Sequence, residues 1–195
     1  MASSSSCCNG LDAFWQKASH VVQTGDFDAY VSMYHPDAVL VCTTTRQEGE
    51  GEEVLTATIS TTATDTGTIN HDDDHGTTRP IAQALDGWKA GFDATAAGRQ
   101  RVTLSLRFSQ RLHGSTTAHE TGIFCYTSTT TEATTAAAAT KTTATTSKEP
   151  TTTVVYLHFE SLLVKKLNTG WLWMMEFQKQ KASEEEWDAL EDPFV

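Results

Sequence analysis

The chain has 195 residues, about the length of one domain, and 38% of them are hydrophobic, which is below the usual share for a packed domain. Its formal net charge is −11: residues 43–78 carry −7 and residues 182–195 carry −6, so the rest of the chain carries +2. This charge pattern lacks the basic stripe that nucleic acid binds, and an anionic membrane surface would repel it. We therefore expect neither nucleic acid nor a membrane as a partner.

The N-terminal stretch MASSSSCCNG is rich in serine and has no apolar segment of the kind found in signal peptides. No part of the chain approaches the 18 consecutive apolar residues of a transmembrane helix. The four cysteines form no disulfide pattern. We expect a cytoplasmic protein in which residues 1–10 are disordered.

The first part of the chain predicts two helices. Apolar residues recur every three or four positions over residues 11–24, and Gly25 provides a stop. Asp26 is placed to cap a second helix, whose apolar positions extend over residues 27–34. That helix should end before Pro36, because the residue preceding a proline avoids the helical region.

A short buried strand is predicted at residues 38–42, and residues 43–78 after it are rich in Thr, Glu, Gly and Asp. So few apolar residues cannot offset the entropy lost on ordering, and we interpret 43–78 as a mobile insert. Within it, the stretch INHDDDHG carries imidazoles and carboxylates, which are ligands for divalent cations. Three consecutive Asp followed by Gly disfavour the helix that would bring His71 and His75 onto one face. We interpret the stretch as a solvated acidic loop and expect no metal site and no cofactor.

The second half of the chain predicts one helix followed by strands. Pro80 is well placed in the first turn of a helix, and after Gly98 the apolar period changes from helical spacing to two. The predicted strands are residues 101–112, 118–126, 154–167 and 171–180. Residues 127–153 hold fourteen Thr in 27 positions and are interpreted as a second, low-complexity insert. We expect one acidic helical turn in the tail at 182–195.

This order of elements, with helices first and a meander of strands after them, predicts an α+β fold with helices packed on one curved sheet. A single domain should span residues 11–181. The two inserts interrupt it, and the acidic tail follows it.

One predicted strand, VVYLHFESLLV, places Tyr156, His158 and Glu160 on the same, otherwise apolar face. An ionisable pair on such a face is costly unless it is partnered or in contact with water. Two interpretations therefore remain open: a satisfied or solvent-facing pair, and an acid/base pair in a pocket. In the second, His158 acts as a base, the usual role of an imidazole near neutral pH, and Glu160 orients it or acts as the acid.

Three stretches resemble the nuclear transport factor two-like superfamily, and its SnoaL-like and ketosteroid-isomerase-like branch most closely. They are TGDFDAYVSMYHPDAVLV (24–41), PIAQALDGWKAGF (80–92) and FESLLVKKLNTGWLWMMEFQ (159–178). The resemblance implies a cone-shaped, curved antiparallel sheet of the cystatin-like type, wrapped around the N-terminal helices and open at one end to a cavity. The fold serves isomerases, cyclases, lyases, hydrolases and plain association modules, so it does not specify a function.

The same resemblance implies roles for individual residues. Glu160 matches a protonated Asp that donates to an oxyanion, Tyr34 matches a pocket tyrosine, and Met175 matches a pocket wall. Two departures separate this chain from the steroid isomerases: Cys42 stands in place of the catalytic Asp, and Ala18 in place of the oxyanion tyrosine. We therefore do not expect steroid isomerisation itself.

We expect a semi-polar cavity that binds a small organic molecule and is suited to isomerise, hydrate or cleave it by general acid/base chemistry. The residues expected at this site are His158 and Glu160 as catalytic groups, with Tyr34, Cys42, Tyr156 and Met175 in the pocket. The alternative is a non-catalytic module for dimerisation or association. In either case we expect a homodimer through the outer face of the sheet, with the following side chains on it: Val155, Leu157, Phe159, Leu163, Leu172 and Met174.

Overall fold

The fold is seen in a computed structural model that describes residues 5–42, 77–130 and 150–193. Within these ranges the chain forms four helices and six strands. In chain order they are α1 (Ser5–Thr24), α2 (Phe27–Val31), β1 (Tyr34–Cys42), β2 (Thr77–Pro80), α3 (Ile81–Ala96), β3 (Gln100–His113), β4 (Thr117–Thr130), β5 (Thr151–Lys166), β6 (Gly170–Lys181) and α4 (Glu184–Asp188).

The six strands form one sheet in the order β2-β1-β6-β5-β4-β3. Strands β3 to β6 make an antiparallel meander, and β2 pairs antiparallel with β1. Strand β1 joins β6 in parallel, with Leu40 opposite Glu176. The predicted α+β fold, with N-terminal helices on a curved sheet, is confirmed, and the β1–β6 pair is its departure from an antiparallel pattern.

Helix α1 packs on the sheet through an apolar stripe at the predicted spacing. The stripe consists of Leu11, Phe14, Trp15, Ala18 and Val21, all of them buried. Asp26 caps α2 by accepting a hydrogen bond from the Ala29 amide at 3.0 Å, as its position before an apolar run predicts. The face of the sheet that these helices cover is called the inner face below.

Two helix boundaries differ from the prediction. Helix α2 ends at Val31, and Tyr34 begins β1 instead of lying in the last turn of a helix. The Trp173 amide donates to the Met33 carbonyl at 2.9 Å, so pairing with β6 takes over where the helix was expected to continue. At the other end, α1 begins at Ser5, and residues 5–10, which we expected to be disordered, are helical.

The ends of both predicted inserts belong to the sheet. Residues 127–130 and 151–153 extend β4 and β5, and residues 77 and 78 lie in β2. Threonine is β-branched and suits a strand. The hydroxyls of Thr129 and Thr152 are hydrogen-bonded to each other across the two strands at 3.0 Å. The rest of the inserts, including INHDDDHG, lies outside the described residues.

Within the described residues, no group of three or more His, Cys, Asp or Glu could hold a metal ion, and no helix is long and apolar enough to cross a membrane.

The two faces of β5 are the reverse of our expectation. Phe159, Ser161 and Leu163 point toward the helices and are 3%, 1% and 0% exposed, so His158 and Glu160 lie on the outer face. Alternation divides a strand into two sets of side chains, but it does not say which set the helices cover when both are largely apolar. Phe159 and Leu163 were therefore wrongly placed in the expected dimer surface, because both belong to the core.

The C-terminal tail folds over one end of the outer face. Trp187 of α4 packs against the ring of Tyr156, with centroids 5.7 Å apart. The Arg107 guanidinium lies 4.5 Å from the centroid of the Trp187 ring and donates to its carbonyl at 2.6 Å. Ser183 and Glu186 form a capping box at the start of the helix. The acidic helical turn predicted in the tail is confirmed.

Candidate functional site

A cavity of about 220 Å³ lies between helices α1 to α3 and the inner face of the sheet; we call it the aromatic cavity. Since liquid water occupies about 30 Å³ per molecule, the cavity has room for roughly seven waters or one small organic ring. Most of its wall is aromatic or aliphatic, from Trp15, Val22, Tyr30, Trp88, Phe92, Val102, Leu104, Leu106, Phe124, Phe159 and Trp173. A concave, mainly apolar space with a few polar groups is the usual form of a small-molecule site.

Helix α3 leaves room for the cavity because small residues lie on the side that it turns toward the sheet. Gly87, Gly91 and Thr95 follow at intervals of four and all line the cavity. A methyl group built on Gly91 would meet only Gln100 Nε2 within 4 Å, at 3.8 Å. Glycine inside a helix costs about 1 kcal/mol relative to alanine. The helix is therefore locally less stable where the cavity is formed.

One corner of the cavity is polar. Tyr30, Glu176 and Gln178 belong to its wall, and Tyr34 is hydrogen-bonded to Tyr30 and Glu176. Glu176 is 9% exposed. Its Oε2 accepts a hydrogen bond from the Tyr34 hydroxyl at 2.6 Å, and its Oε1 accepts one from Gln178 Nε2 at 2.9 Å. The hydroxyls of Tyr30 and Tyr34 are 2.9 Å apart. A hydrogen-bonded chain thus runs from Tyr30 through Tyr34 to the carboxyl group, and we call these four residues the polar corner.

The polar corner sets the protonation states of its members. Burial raises the pKa of the Glu176 carboxyl, and the hydrogen bonds from Tyr34 and Gln178 oppose this rise. Burial also raises the pKa of Tyr30 and Tyr34, and the adjacent Glu176 charge raises both further. The tyrosines consequently stay neutral, while Glu176 can exchange between its neutral and ionised forms. A carboxyl group in this state is suited to act as a general acid or base.

Trp173 contributes a further donor to the same wall. The residue is 4% exposed and lines the cavity, and its indole Nε1 has no hydrogen-bond partner among the described residues. Leaving a buried N–H unpaired costs about 1–3 kcal/mol. A ligand oxygen within reach of this nitrogen would remove that cost.

Solved structures share this architecture, although neither a protein-family model nor a curated protein matches the sequence. A candidate dehydratase of the NTF2-like family from Streptomyces avermitilis is similar, with a TM-score of 0.53 at 10% identity. The match covers 93% of this chain and 100% of that one. The chain has the nuclear transport factor two-like fold.

Two other structures show how varied the proteins with a similar fold are. The β subunit of benzoate 1,2-dioxygenase from Burkholderia mallei matches at a TM-score of 0.53 and 10% identity, over 95% of this chain and 91% of that one. A candidate Ca/calmodulin-dependent kinase II association domain from Exiguobacterium sibiricum matches at a TM-score of 0.51 and 10% identity, over 94% and 98%. Identity this low concerns the fold alone, so the function has to be argued from the cavity.

Within the nuclear transport factor two-like fold, His158 and Glu160 do not line the cavity, and our expectation that they would is wrong. On the outer face, His158 Nε2 lies 3.3 Å from Glu186 Oε1. Lys179 Nζ and His119 Nε2 each lie 2.7 Å from a Glu160 oxygen. The hydrogen bond from Lys179, and after it that from His119, lowers the pKa of Glu160, in contrast to the protonated carboxyl implied by the resemblance. Both residues are partnered, in agreement with the first interpretation of the strand.

Two of the four expected pocket residues, Tyr34 and Cys42, are the first and last residues of β1. Tyr34 belongs to the polar corner through its bond to Glu176. Cys42 packs against the core at the end of the strand without lining the cavity. Burial raises the pKa of its thiol, against the opposing effect of the nearby Arg79 guanidinium. A raised pKa disfavours the thiolate and so disfavours a nucleophilic role.

The other two expected pocket residues lie on the outer face, which corrects their assignment. Tyr156 packs against Trp187 of α4. Met175 pairs with Leu162 of β5, and neither residue lines the cavity. Tyr156 was assigned to the pocket together with His158, and it lies outside because the faces of β5 are reversed. Met175 lies outside because the register of β6 against β5 shifts between Trp173 and Met175.

Sequence reasoning missed Glu176 because β6 contains an irregularity. The register between β5 and β6 shifts between Leu162 and Leu163, so Trp173 and Glu176 both face the cavity although they are three positions apart. Strict alternation would place them on opposite faces. The available signal was a single acid within the apolar run WLWMMEF, the same kind of signal that drew attention to Glu160.

A second buried carboxylate, Glu120, lies on the inner face outside the cavity wall. It is 0% exposed, and its Oε1 is 2.6 Å from Arg111 Nε and 2.8 Å from His113 Nε2. Trp15 Nε1 donates to its Oε2, and Asp12 accepts from Arg111 Nη1 at 2.7 Å. Because these contacts tie α1 to β3 and β4, we assign Glu120 a structural role.

Proposed function

We propose that the aromatic cavity binds a small, uncharged, mainly apolar molecule and that Glu176 transfers a proton on it. The observation that carries this proposal is a single buried carboxyl group in the wall of a mainly aromatic and aliphatic cavity. Burial brings the pKa of such a group toward the range where it is both an acid and a base. The same apolar wall disfavours a charged ligand, because desolvating the charge would be costly.

The proton transfer needs only the carboxyl group and the ligand. Ionised Glu176 removes a proton from one ligand atom and becomes the neutral acid, and it then returns that proton to a second ligand atom. Atoms and charge balance without another reagent, so the reaction is an isomerisation. Tyr34 donates to Oε2 and supports the ionised form, while Tyr30 extends the chain of donors.

The wall also indicates which polar group the ligand carries. The unpartnered Trp173 Nε1 is a donor in this wall, whereas the Tyr30 hydroxyl donates its one hydrogen to Tyr34. The indole N–H favours a ligand with an acceptor oxygen, such as a carbonyl. A ring-sized ketone fits the volume, the apolar wall and this donor together.

A matched pair of variants tests this site against the one expected from sequence. Small cyclic enones are assayed for binding by calorimetry and for proton exchange by NMR, using the parent protein, Glu176→Gln and Glu160→Gln. Loss of a general base costs about 10²–10⁴-fold in rate, so we expect Glu176→Gln to lose exchange and Glu160→Gln to retain it. Retained exchange in Glu176→Gln would refute the proposal, and loss only in Glu160→Gln would place the chemistry on the outer face.

We also propose that the protein forms a homodimer through the part of the outer face that α4 leaves uncovered. There, Leu162, Val164, Met175 and Phe177 are only partly buried in the single chain. Contiguous apolar surface of this kind commonly marks an interface. This proposal also keeps the alternative of an association module open, since dimerisation requires no chemistry in the cavity.

A further inference from the structure

A second cavity, of about 320 Å³, lies between the first half of α1, the end of α2 and the turn between β5 and β6. Among the described residues, the set that lines it and the set that lines the aromatic cavity have no member in common. We propose that this space, called the lysine cavity here, is a binding site for a small carboxylate with an apolar body.

The charge of the lysine cavity differs from that of the whole chain. Its described lining residues include Lys17 and Lys165 and no Asp or Glu, although the chain carries a net charge of −11. Lys165 lies with its ammonium 5.6 Å from the centroid of the Trp171 ring, so one positive charge is held beside that indole. The wall thus combines two cations with no competing anion of its own.

A buried donor without a partner lies in the same wall. Trp171 is 7% exposed and lines the cavity, and its Nε1 has no hydrogen-bond partner among the described residues. A Cβ built on Gly10 would lie 3.3 Å from this nitrogen, and Gly10 itself lines the cavity. The indole nitrogen therefore faces a part of the wall that has no side chain. An acceptor atom of a ligand placed there would satisfy the N–H.

The remaining wall favours a carboxylate over phosphate. Phe14, Met33 and Leu172 give the cavity an apolar floor that suits an alkyl or aryl group. One fixed N–H and two flexible ammonium groups match two carboxylate oxygens. Phosphate presents more oxygens and more charge, and it is usually bound by several backbone amides or by arginine forks.

The test follows the indole N–H resonance of Trp171 in the full-length protein by ¹H–¹⁵N NMR. The probes are pentanoate, its uncharged analogue pentanamide, and inorganic phosphate. We expect pentanoate to shift this resonance in a saturable manner, and the other two probes to bind at least about tenfold more weakly, because each lacks either the charge or the apolar body. No saturable shift with pentanoate, or equal binding of phosphate, would overturn the proposal.

Substitutions then separate the specific site from general attraction to lysines. Lys165→Met should weaken pentanoate binding about fivefold, whereas Lys166→Met, which removes the neighbouring exposed charge outside the cavity wall, should not. Trp171→Phe keeps the aromatic packing and removes the N–H, so binding measured by calorimetry should also weaken. Equal losses in Lys165→Met and Lys166→Met, or unchanged binding in Trp171→Phe, would show non-specific attraction and contradict the site.

Discussion

At the scale of single residues, Glu160 and Glu176 show how the side of a sheet decides the state of a carboxyl group. The two lie on paired strands, with Glu160 opposite Phe177, the residue after Glu176. On the outer face, Lys179 holds the pKa of Glu160 below its usual value. On the inner face, burial raises the pKa of Glu176. Of the two, only Glu176 has the raised pKa that the proposed proton transfer needs.

The raised pKa of Glu176 predicts how stability changes with pH. The folded protein binds this proton more tightly than the unfolded chain does, so the stabilisation is complete below the ordinary Glu pKa of about 4.3 and is lost as pH rises through the folded value. Glu176→Gln removes this dependence. The free energy of unfolding of Glu176→Gln, measured with urea, should increase relative to that of the parent protein as pH rises from about 4. Parallel curves for the two proteins would contradict a raised pKa.

Glu160→Gln should act in the opposite direction. Because the folded pKa of Glu160 is lowered, its stabilisation is present above the ordinary value of about 4.3 and is lost as pH falls through the lowered one. At neutral pH the free energy of unfolding of the parent should exceed that of Glu160→Gln by less than about 1 kcal/mol, since the ion pair is partly exposed. This difference should disappear in acid. A difference that persists at the lowest accessible pH would indicate an effect of packing instead of charge.

At the scale of elements, irregular strands place the side chains that matter. Strand β3 shifts register against β4 between Phe108 and Gln110, opposite Gly122. A Cβ at Gly122 would lie 2.1 Å from the Arg107 carbonyl oxygen, so only glycine permits this approach of the two strands. In β6, the comparable shift turns Glu176 into the cavity.

Gly122→Ala should therefore destabilise the protein by about 1–3 kcal/mol, the usual cost of overpacking. Gly91→Ala is the matched control, because its new methyl group has space and alanine favours a helix by about 1 kcal/mol. Thermal melting should show a lower midpoint for the first variant and an equal or higher midpoint for the second. Similar losses in both would mean that the close contact at Gly122 relaxes without cost.

These irregularities also explain which parts could be predicted from sequence. The apolar stripe of α1, the Asp26 cap and the four-strand meander follow from spacing and composition, and they were predicted correctly. Which face of β5 meets the helices does not follow, because Phe159 and Leu162 are equally apolar by sequence. The bulge in β6 carries no sequence mark, so Glu176 could not be assigned to the cavity. The sequence analysis consequently placed the site at His158 and Glu160, which lie on the outer face of the sheet instead of in the cavity.

At the scale of the whole molecule, the outer face is divided into two parts. Helix α4 covers the end that carries Tyr156 and His158. The other end, around Leu162 and Met175, has no described segment of the chain packed across it like α4. A stable interface commonly buries about 800 Å² on each partner, and the uncovered part of the sheet is where a second copy would contribute such area.

Leu162→Asp should shift the dimer toward monomer, because it buries a charge in the proposed interface. Val154→Asp is the control, since this residue lies on the same side of β5 but is already 48% exposed. Light scattering at tens of micromolar should find the parent and Val154→Asp as dimers and Leu162→Asp as a monomer with an unchanged far-ultraviolet spectrum. A monomeric parent would refute the homodimer.

The first insert should be removable if β2 is kept. Strand β2 pairs with β1 from Val39 opposite Pro80 to Cys42 opposite Thr77, so replacing residues 43–76 by Asn-Gly closes a two-residue hairpin. We expect a cooperative thermal melt for this variant, because the deleted sequence is acidic and poor in apolar residues. Calcium and zinc should not stabilise the parent more than the variant. Loss of the cooperative melt would show that the insert belongs to the core.

The position of β6 also affects how the chain folds during synthesis. It comes after the other five described strands in the chain, yet it lies between β1 and β5, where the Trp173 amide donates to the Met33 carbonyl. Until residues 170–181 emerge, β1 has no parallel partner and the apolar stripe of α1 lacks Trp173. Contacts so distant in sequence make folding slow and expose apolar surface to aggregation. A nascent chain that stalls before β6 therefore lacks the middle of its sheet, and we expect it to depend on chaperones until β6 is made.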